Sequence, residues 1–216
     1  MRRYAYHGIG NPPMHRQDVS SVQLTQHIKT LKRLGFMFTT NPTSDELRKT
    51  FLSFDDGYKS ACVKGLEILL QEGAVAVVFV IPSWIEGESV TSVHGEPASW
   101  SDLKEWIAAG MEVGSHSLTH SRELVALSES DLIREISDSK KFIEDKLGVP
   151  VNGFSYPYGN CSTTLQKVLC ESGYKYALTV NAPGAECQTE DRFTLRRIGV
   201  GASTSSVKFL VKTFLN

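Results

Sequence analysis

Phe51-Leu52-Ser53-Phe54-Asp55-Asp56-Gly57 is a short apolar run that ends abruptly in two carboxylates and a glycine. An apolar stretch of this length, closed by a turn signal, reads as a buried strand. Helical spacing follows: Val63, Leu66, Leu69 and Leu70 recur three and four apart and stop at Gly73. Outward from there the same strand-then-helix unit repeats. Strand-length apolar runs cover 4–9, 51–54, 74–81, 111–113, 153–155, 176–180 and 195–200. Helices are predicted between them: from Val22 to Leu34 before Gly35, from a Ser99–Asp102 capping box through Trp106 to Gly110, from Ser128 through Ile143 to Gly148, and from about Thr163 to Ser172. This alternation predicts an α/β fold of parallel strands with helical crossovers. An open doubly wound sheet and a closed barrel both satisfy it. Strand count favours the barrel, and the absence of a Gly-x-Gly-x-x-Gly or phosphate-loop lysine motif removes the commonest reason for the open sheet.

The chain has 216 residues, the size of one domain, and 1–216 is read as a single catalytic domain. Hydrophobic residues make up 41% and charged residues 22%, which excludes a disordered, collagen-like or coiled-coil chain. Lys+Arg 23 against Asp+Glu 24 leaves no basic surplus to neutralise phosphates, so a nucleic-acid partner is not expected. The first residues, Met1 to His7, carry no apolar stretch, and the longest apolar run, 74–81, is too short to span a bilayer. No membrane span and a cytoplasmic location are therefore expected. Cys62, Cys161, Cys170 and Cys187 are scattered with no Cys-x-x-Cys pair, so reduced thiols are expected as well.

In parallel α/β folds chemistry collects just past the carboxyl ends of strands. Asp55-Asp56-Gly57 follows the run 51–54. Ser115-His116, then His120, follow 111–113. Tyr156-Pro157-Tyr158-Gly159 follows 153–155. Adjacent carboxylates repel, and a cation bound by one leaves the other to act as a base; the plainer reading is an Asp-Gly turn whose Asp caps the next helix. His116 and His120 are predicted to meet on one side of a helical turn, a spacing at which two imidazoles reach one metal. The alternative is two unrelated surface histidines. Ser117 stands where a metalloprotease helix would carry Glu, so a base must come from elsewhere, and Asp55 is the candidate. Two His and one Asp make a three-ligand site with open positions, which suits a divalent ion, zinc best. Such an ion acidifies water to a pKa of about 7 and polarises a carbonyl. The residues predict a metal-assisted hydrolase.

Ser53-Phe54-Asp55-Asp56-Gly57 also resembles Thr-Phe-Asp-Asp-Gly, the first motif of the polysaccharide deacetylase (NodB-homology) family, carbohydrate esterase family four. Ser115 to His120 is similar to that family's His-Ser/Thr-x-x-x-His-type second motif, and Tyr156-Pro157-Tyr158-Gly159 to the end of its third, Arg-x-Pro-Tyr-Gly. The resemblance runs from about Tyr6-His7 to Arg197-Ile198. It implies a distorted (β/α) barrel of about seven parallel strands and metal-dependent removal of an N-acetyl group from an amino sugar or glycan precursor. Asp56, His116 and His120 would hold the metal, and Asp55 would be the general base toward water there. The backbone N–H of Tyr158 would help stabilise the oxyanion. Tyr156, Pro157, Arg197 and Trp84 are read as substrate-binding.

The chain departs from the family pattern in three places. Ser155 stands where the family carries the arginine that orients the base, no Asp-x-x-Asp-Trp lies between Ser172 and Asp191, and no histidine follows His120. Leu195-Arg196-Arg197 fills the last region; arginine holds its proton too tightly to donate it, though Arg197 can steady negative charge. His7 is then the candidate proton donor or metal neighbour, against a plain packing role. Trp84 and Trp100 flank a candidate lid at 86–97, whose His94 reads as solvated; Trp106 reads as core, and His15 and His27 carry no metal spacing. Two rival functions are hydrolysis of a non-sugar C–N bond on the same scaffold and a catalytically silent glycan-binding protein, the latter favoured by the missing arginine and histidine.

Overall fold

Each of the seven predicted apolar runs forms a strand, and a short eighth joins them. The structure, a computed structural model, describes residues 1–10, 12–13, 15–87, 95–180 and 191–215. The strands are β1 (Arg2–Tyr6), β2 (Met37–Phe38), β3 (Lys49–Phe54), β4 (Val77–Val80), β5 (Glu112–Ser115), β6 (Gly153–Ser155), β7 (Tyr176–Val180) and β8 (Leu195–Gly199). All pair in parallel in the order β1-β8-β7-β6-β5-β4-β3-β2, and β1 also pairs with β3, Tyr6 opposite Phe54. That last pairing closes β1 and β3–β8 into a seven-stranded barrel. It leaves β2 as an appendage on the flank of β3.

The helices are α1 (Ser21–Arg33), α2 (Leu66–Glu72), α3 (Pro82–Ile85), α4 (Trp100–Ala108), α5 (Glu129–Ile133), α6 (Ser139–Leu147), α7 (Thr163–Glu171) and α8 (Ser206–Leu215). The predicted Ser99–Asp102 capping box opens α4, and Ser128 caps α5 by accepting from the Asp131 N–H. The single helix expected from Ser128 to Gly148 is interrupted: a π-helical turn, Arg134–Asp138, joins α5 to α6. Helix α8 was not anticipated. It is fastened to β1 and α1, with Phe209 stacked on His27 at 4.1 Å and on Tyr4 at 4.9 Å, and Thr213 hydrogen-bonded to the Tyr4 hydroxyl at 2.8 Å. Among the described residues no helix is long and apolar enough to cross a membrane.

Strand alternation sorts side chains into layers. On β3, Leu52 and Phe54 join the core between barrel and helices, while Phe51 points into the barrel. There it meets Val77, Phe79, Tyr176, Leu178 and Leu195 in an apolar plug. Glycines make room for the plug's rings: a Cβ on Gly114 would lie 2.3 Å from Phe79, and one on Gly153 2.5 Å from Tyr176. Two residues further along the strands the inward positions turn polar, with Ser53 on β3, Ser155 on β6 and Arg197 on β8, all buried. Trp106 is core as predicted, its ring edge-on to Phe54 and its Nε1–H donated to the Glu112 carbonyl. The expectation of uniformly reduced thiols fails. Cys62 and Cys170 are free, but Cys161 is disulfide-bonded; Cys187 lies outside the described residues, as do His94 and most of the candidate lid at 86–97.

Candidate functional site

The ladder of β3 runs one step past its end, because the Asp55 N–H donates to the Tyr6 carbonyl at 2.9 Å. Asp56 and Gly57 then both adopt left-handed conformations, φ 69° and 66°. For Asp56 that costs about 1–2 kcal/mol. The reversal sends neighbouring carboxylates in different directions: Asp55 into the polar layer of the barrel, Asp56 toward the loop after β5. A side chain at Gly57 would press on Val80 at 3.0 Å, so the turn also depends on its lacking one.

His116 follows β5 directly, its N–H donated to the Val80 carbonyl at 2.9 Å. Its Nδ1 lies 2.7 Å from the Ser155 carbonyl, which can only accept, so Nδ1 carries the proton and the Nε2 lone pair faces outward. Nε2 of His116 lies 3.4 Å from Asp56 Oδ1, and Nε2 of His120 lies 3.5 Å from the same oxygen. One donor atom from each of the three residues falls within 4.8 Å of the others. The donors converge as expected, but not through a helical turn. Residues 116–120 form an irregular turn in which Ser117 and His120 are left-handed, φ 66° and 62°. Local side-chain bonds replace helical ones: the Ser117 hydroxyl accepts from the His120 N–H at 2.9 Å.

Burial opposes ionisation throughout, yet Asp56 is held below its ordinary pKa because His116, His7 and His120 surround it. The two imidazoles differ. Burial would lower His116, but Asp55 and Asp56 outweigh it and raise its pKa. Burial, with His116 beside it, lowers His120 to about 4. A divalent cation fits this set: a buried ionised carboxylate and two imidazoles, one with its tautomer fixed to leave the facing nitrogen unprotonated, all aimed at one point.

Behind Asp56, the Asp55 carboxylate is gripped at both oxygens by Arg197, Oδ1 to Nη1 at 2.7 Å and Oδ2 to Nη2 at 2.8 Å. The guanidinium also donates to Ser53 Oγ at 2.9 Å and Ser155 Oγ at 2.8 Å, and only 1% of the residue is exposed. Burial would raise the pKa of Asp55, but Arg197, with His116 and His7 nearby, lowers it overall. The reading of Arg197 as substrate-binding is therefore corrected: its donors are turned inward on Asp55, and it has no surface to offer a ligand.

The site lies in an open cavity of about 870 Å³, its wall including His7, Trp84, Arg122 and Tyr158. The profile of the polysaccharide deacetylase family matches residues 43–177. This chain belongs to the polysaccharide deacetylase family. YxkH of Bacillus subtilis (strain 168) is 27% identical over 180 residues, covering 83% of this chain; the chain spans 61% of that relative's length. A poly-β-1,6-N-acetyl-D-glucosamine N-deacetylase of Staphylococcus aureus (strain MSSA476) is 20% identical over 212 residues, 91% of this chain and 72% of that protein. Among solved structures, the Streptococcus pyogenes deacetylase PplD in complex with acetate superposes with a TM-score of 0.83 at 21% identity, covering 98% of this chain and 97% of its own. The seven-stranded barrel is thus the fold of the polysaccharide deacetylases.

In this member of the family the remaining predicted residues separate by depth. Tyr158, left-handed at φ 59°, is 39% exposed, and its ring lies 4.7 Å from that of His120. Trp84 flanks His120 on another side at 5.3 Å. His7 reaches the cavity with Nε2 3.3 Å from the Gln17 amide nitrogen, and lies close enough to influence Asp55, Asp56 and His120 electrostatically. Tyr156 borders the cavity, but its ring is buried and its hydroxyl donates to the Phe193 carbonyl at 2.9 Å; Pro157 is buried and does not line the cavity. Of the two, only Tyr156 reaches the cavity wall. Sequence reasoning missed Arg122, whose guanidinium lies 4.6 Å above the Tyr158 ring. It also missed Glu135, which bonds the turn between the histidines. Position just after His120 marks Arg122; no linear signal marks Glu135.

Proposed function

We propose that this chain is a metal-dependent de-N-acetylase of acetylated amino sugars in glycans, with zinc or a similar divalent ion held by Asp56, His116 and His120. The observation that carries the reading is the pairing of that donor cluster with a second carboxylate, Asp55, which is buried, ionised and locked by Arg197. The ion, when bound, supplies Lewis acidity toward water and the acetyl carbonyl. Asp55 takes the proton from the attacking water; a carboxylate fixed at both oxygens stays ionised and correctly aimed. The backbone N–H of Tyr158 donates to the developing oxyanion. His7 returns a proton to the departing sugar amine. The rings of Trp84 and Tyr158, and the Arg122 guanidinium, border the space for the sugar.

The staphylococcal relative acts, by its name, on poly-β-1,6-N-acetyl-D-glucosamine, which makes oligomers of that glycan the first substrates to try. The rival reading as a silent binding protein rested on the missing third-motif arginine and late histidine, and its first support is weakened because Arg197 makes an equivalent ionic contact from β8. The disulfide at Cys161 favours an oxidising compartment over the cytoplasm. Acetate release from a panel of acetylated oligosaccharides by zinc-loaded protein tests the assignment. Wild type should release acetate; Asp55→Asn should bind zinc yet lose about 10²–10⁴-fold in turnover. A zinc-loaded wild type inactive on the whole panel refutes it.

A further inference from the structure

The turn from His116 to His120 leaves three successive backbone N–H groups, at Leu118, Thr119 and His120, outside any helix or strand. Ser117 takes the third. Glu135 takes the other two: its Oε2 accepts from the Leu118 and Thr119 N–H groups, each at 3.0 Å, and its Oε1 accepts the Thr119 hydroxyl at 2.6 Å. The Glu135 carbonyl accepts from the Leu118 N–H as well, at 3.0 Å. Glu135 is 8% exposed and sits on the π-helical turn that breaks the long helix after β5. Such single π turns recur at functional sites, where the extra residue re-aims a side chain. Here the re-aimed side chain satisfies a turn that holds two non-glycine residues in left-handed conformations, each costing about 1–2 kcal/mol.

We propose that Glu135 is the positioning residue of the metal centre: by clamping the Leu118–Thr119 amides it holds His116 and His120 at the spacing at which both reach one ion. The inference rests on the metal-binding reading above. Glu135 touches neither ion nor substrate and acts only through the turn. The bonding pattern sets a specific rescue. Oε2 accepts twice from N–H groups, whereas Oε1 meets only a hydroxyl, which can either donate or accept. Glutamine can therefore place its oxygen at the Oε2 position and donate from its amide nitrogen to Thr119 Oγ1, keeping all three contacts without the charge.

Zinc affinity, measured by competition with a chromophoric chelator, tests this on wild type, Glu135→Ala, Glu135→Gln and Phe209→Leu. Phe209 packs α8 against Tyr4 and His27, away from the site, and reports what a general loss of stability does. Melting of the zinc-free proteins is recorded in parallel. Glu135→Ala should bind zinc about 10–100-fold more weakly, while Glu135→Gln stays within about threefold of wild type and Phe209→Leu keeps wild-type affinity despite a lower melting temperature. Wild-type affinity in folded Glu135→Ala overturns the proposal. So does a Glu135→Gln variant as weak as Glu135→Ala, because the charge rather than the clamp would then matter, and so does an equal loss in Phe209→Leu. A wild type that binds no zinc removes the metal-binding reading itself, and this inference with it.

Discussion

Replacing Arg197 by Met strips Asp55 of its partner while keeping the bulk of the side chain. The pair is fully inside the barrel, with side-chain exposures of 0% for Arg197 and 5% for Asp55, so solvent cannot take over the lost contacts. Removing one partner of a buried ion pair costs about 3–5 kcal/mol. For a chain of this size about 1 kcal/mol moves the melting temperature by 2–4 °C, so the variant should melt about 6–20 °C lower at pH 7. The sign of the pH dependence follows from the pKa of Asp55, which lies below its ordinary value in the folded wild type. A depressed carboxylate contributes stability above its unfolded pKa, about 4, and loses that contribution as pH falls through the folded value. In Arg197→Met burial is opposed only by the neighbouring His116 and His7, so the pKa of Asp55 rises from its wild-type value. The gap between the two proteins should therefore be widest near neutrality and narrow as pH falls toward 3. Calorimetric melting from pH 3 to 7.5, with chelator present to fix the metal state, reads both effects. Adding Asp55→Leu to Arg197→Met should recover much of the loss, because the orphaned charge is gone. A single variant melting within about 2 °C of wild type at pH 7, or a gap that widens toward acid, would refute the reasoning.

Gly114→Ala forces a methyl to 2.3 Å from the Phe79 ring and 3.0 Å from the Gly153 carbonyl. It should cost about 1–3 kcal/mol or more in melting experiments, and Phe79→Leu in the same chain should relieve part of that; an unchanged melt would contradict the plug packing. His27 is buried with its pKa lowered to about 4, because burial outweighs the bond to the Thr204 carbonyl. The unfolded chain takes up this proton near pH 6.5 and the folded one does not, so stability should fall by on the order of 3 kcal/mol between pH 6.5 and 4. Subtracting the denaturation profile of His27→Gln from that of wild type isolates this slope, and a flat difference curve would refute it.

The barrel was readable because its strands are buried on both faces and so appear as unbroken apolar runs. The two residues of β2 are too few for any pattern. The donor cluster was legible from spacing, although the reason assigned to the spacing was wrong: His116 and His120 converge through two left-handed residues and a carboxylate 15 or more positions away, not through helical periodicity. The missing third-motif arginine looked like a lost function because a linear motif carries no information about barrel closure. Once β1 pairs with both β3 and β8, Arg197 stands beside Asp55, 142 positions distant in sequence. Helix α8 escaped notice because its burial comes from Phe209 and Thr213 alone. The disulfide at Cys161 escaped because scattered cysteines carry no pairing information.

Metal add-back tests the central claim most directly. The chelator-treated protein should release no acetate from acetylated glucosamine oligomers and should regain full release when one zinc per chain is restored, while Asp56→Ala should regain none. Undiminished acetate release by the metal-free protein, or full recovery in Asp56→Ala, would contradict a reaction centred on Asp56, His116 and His120.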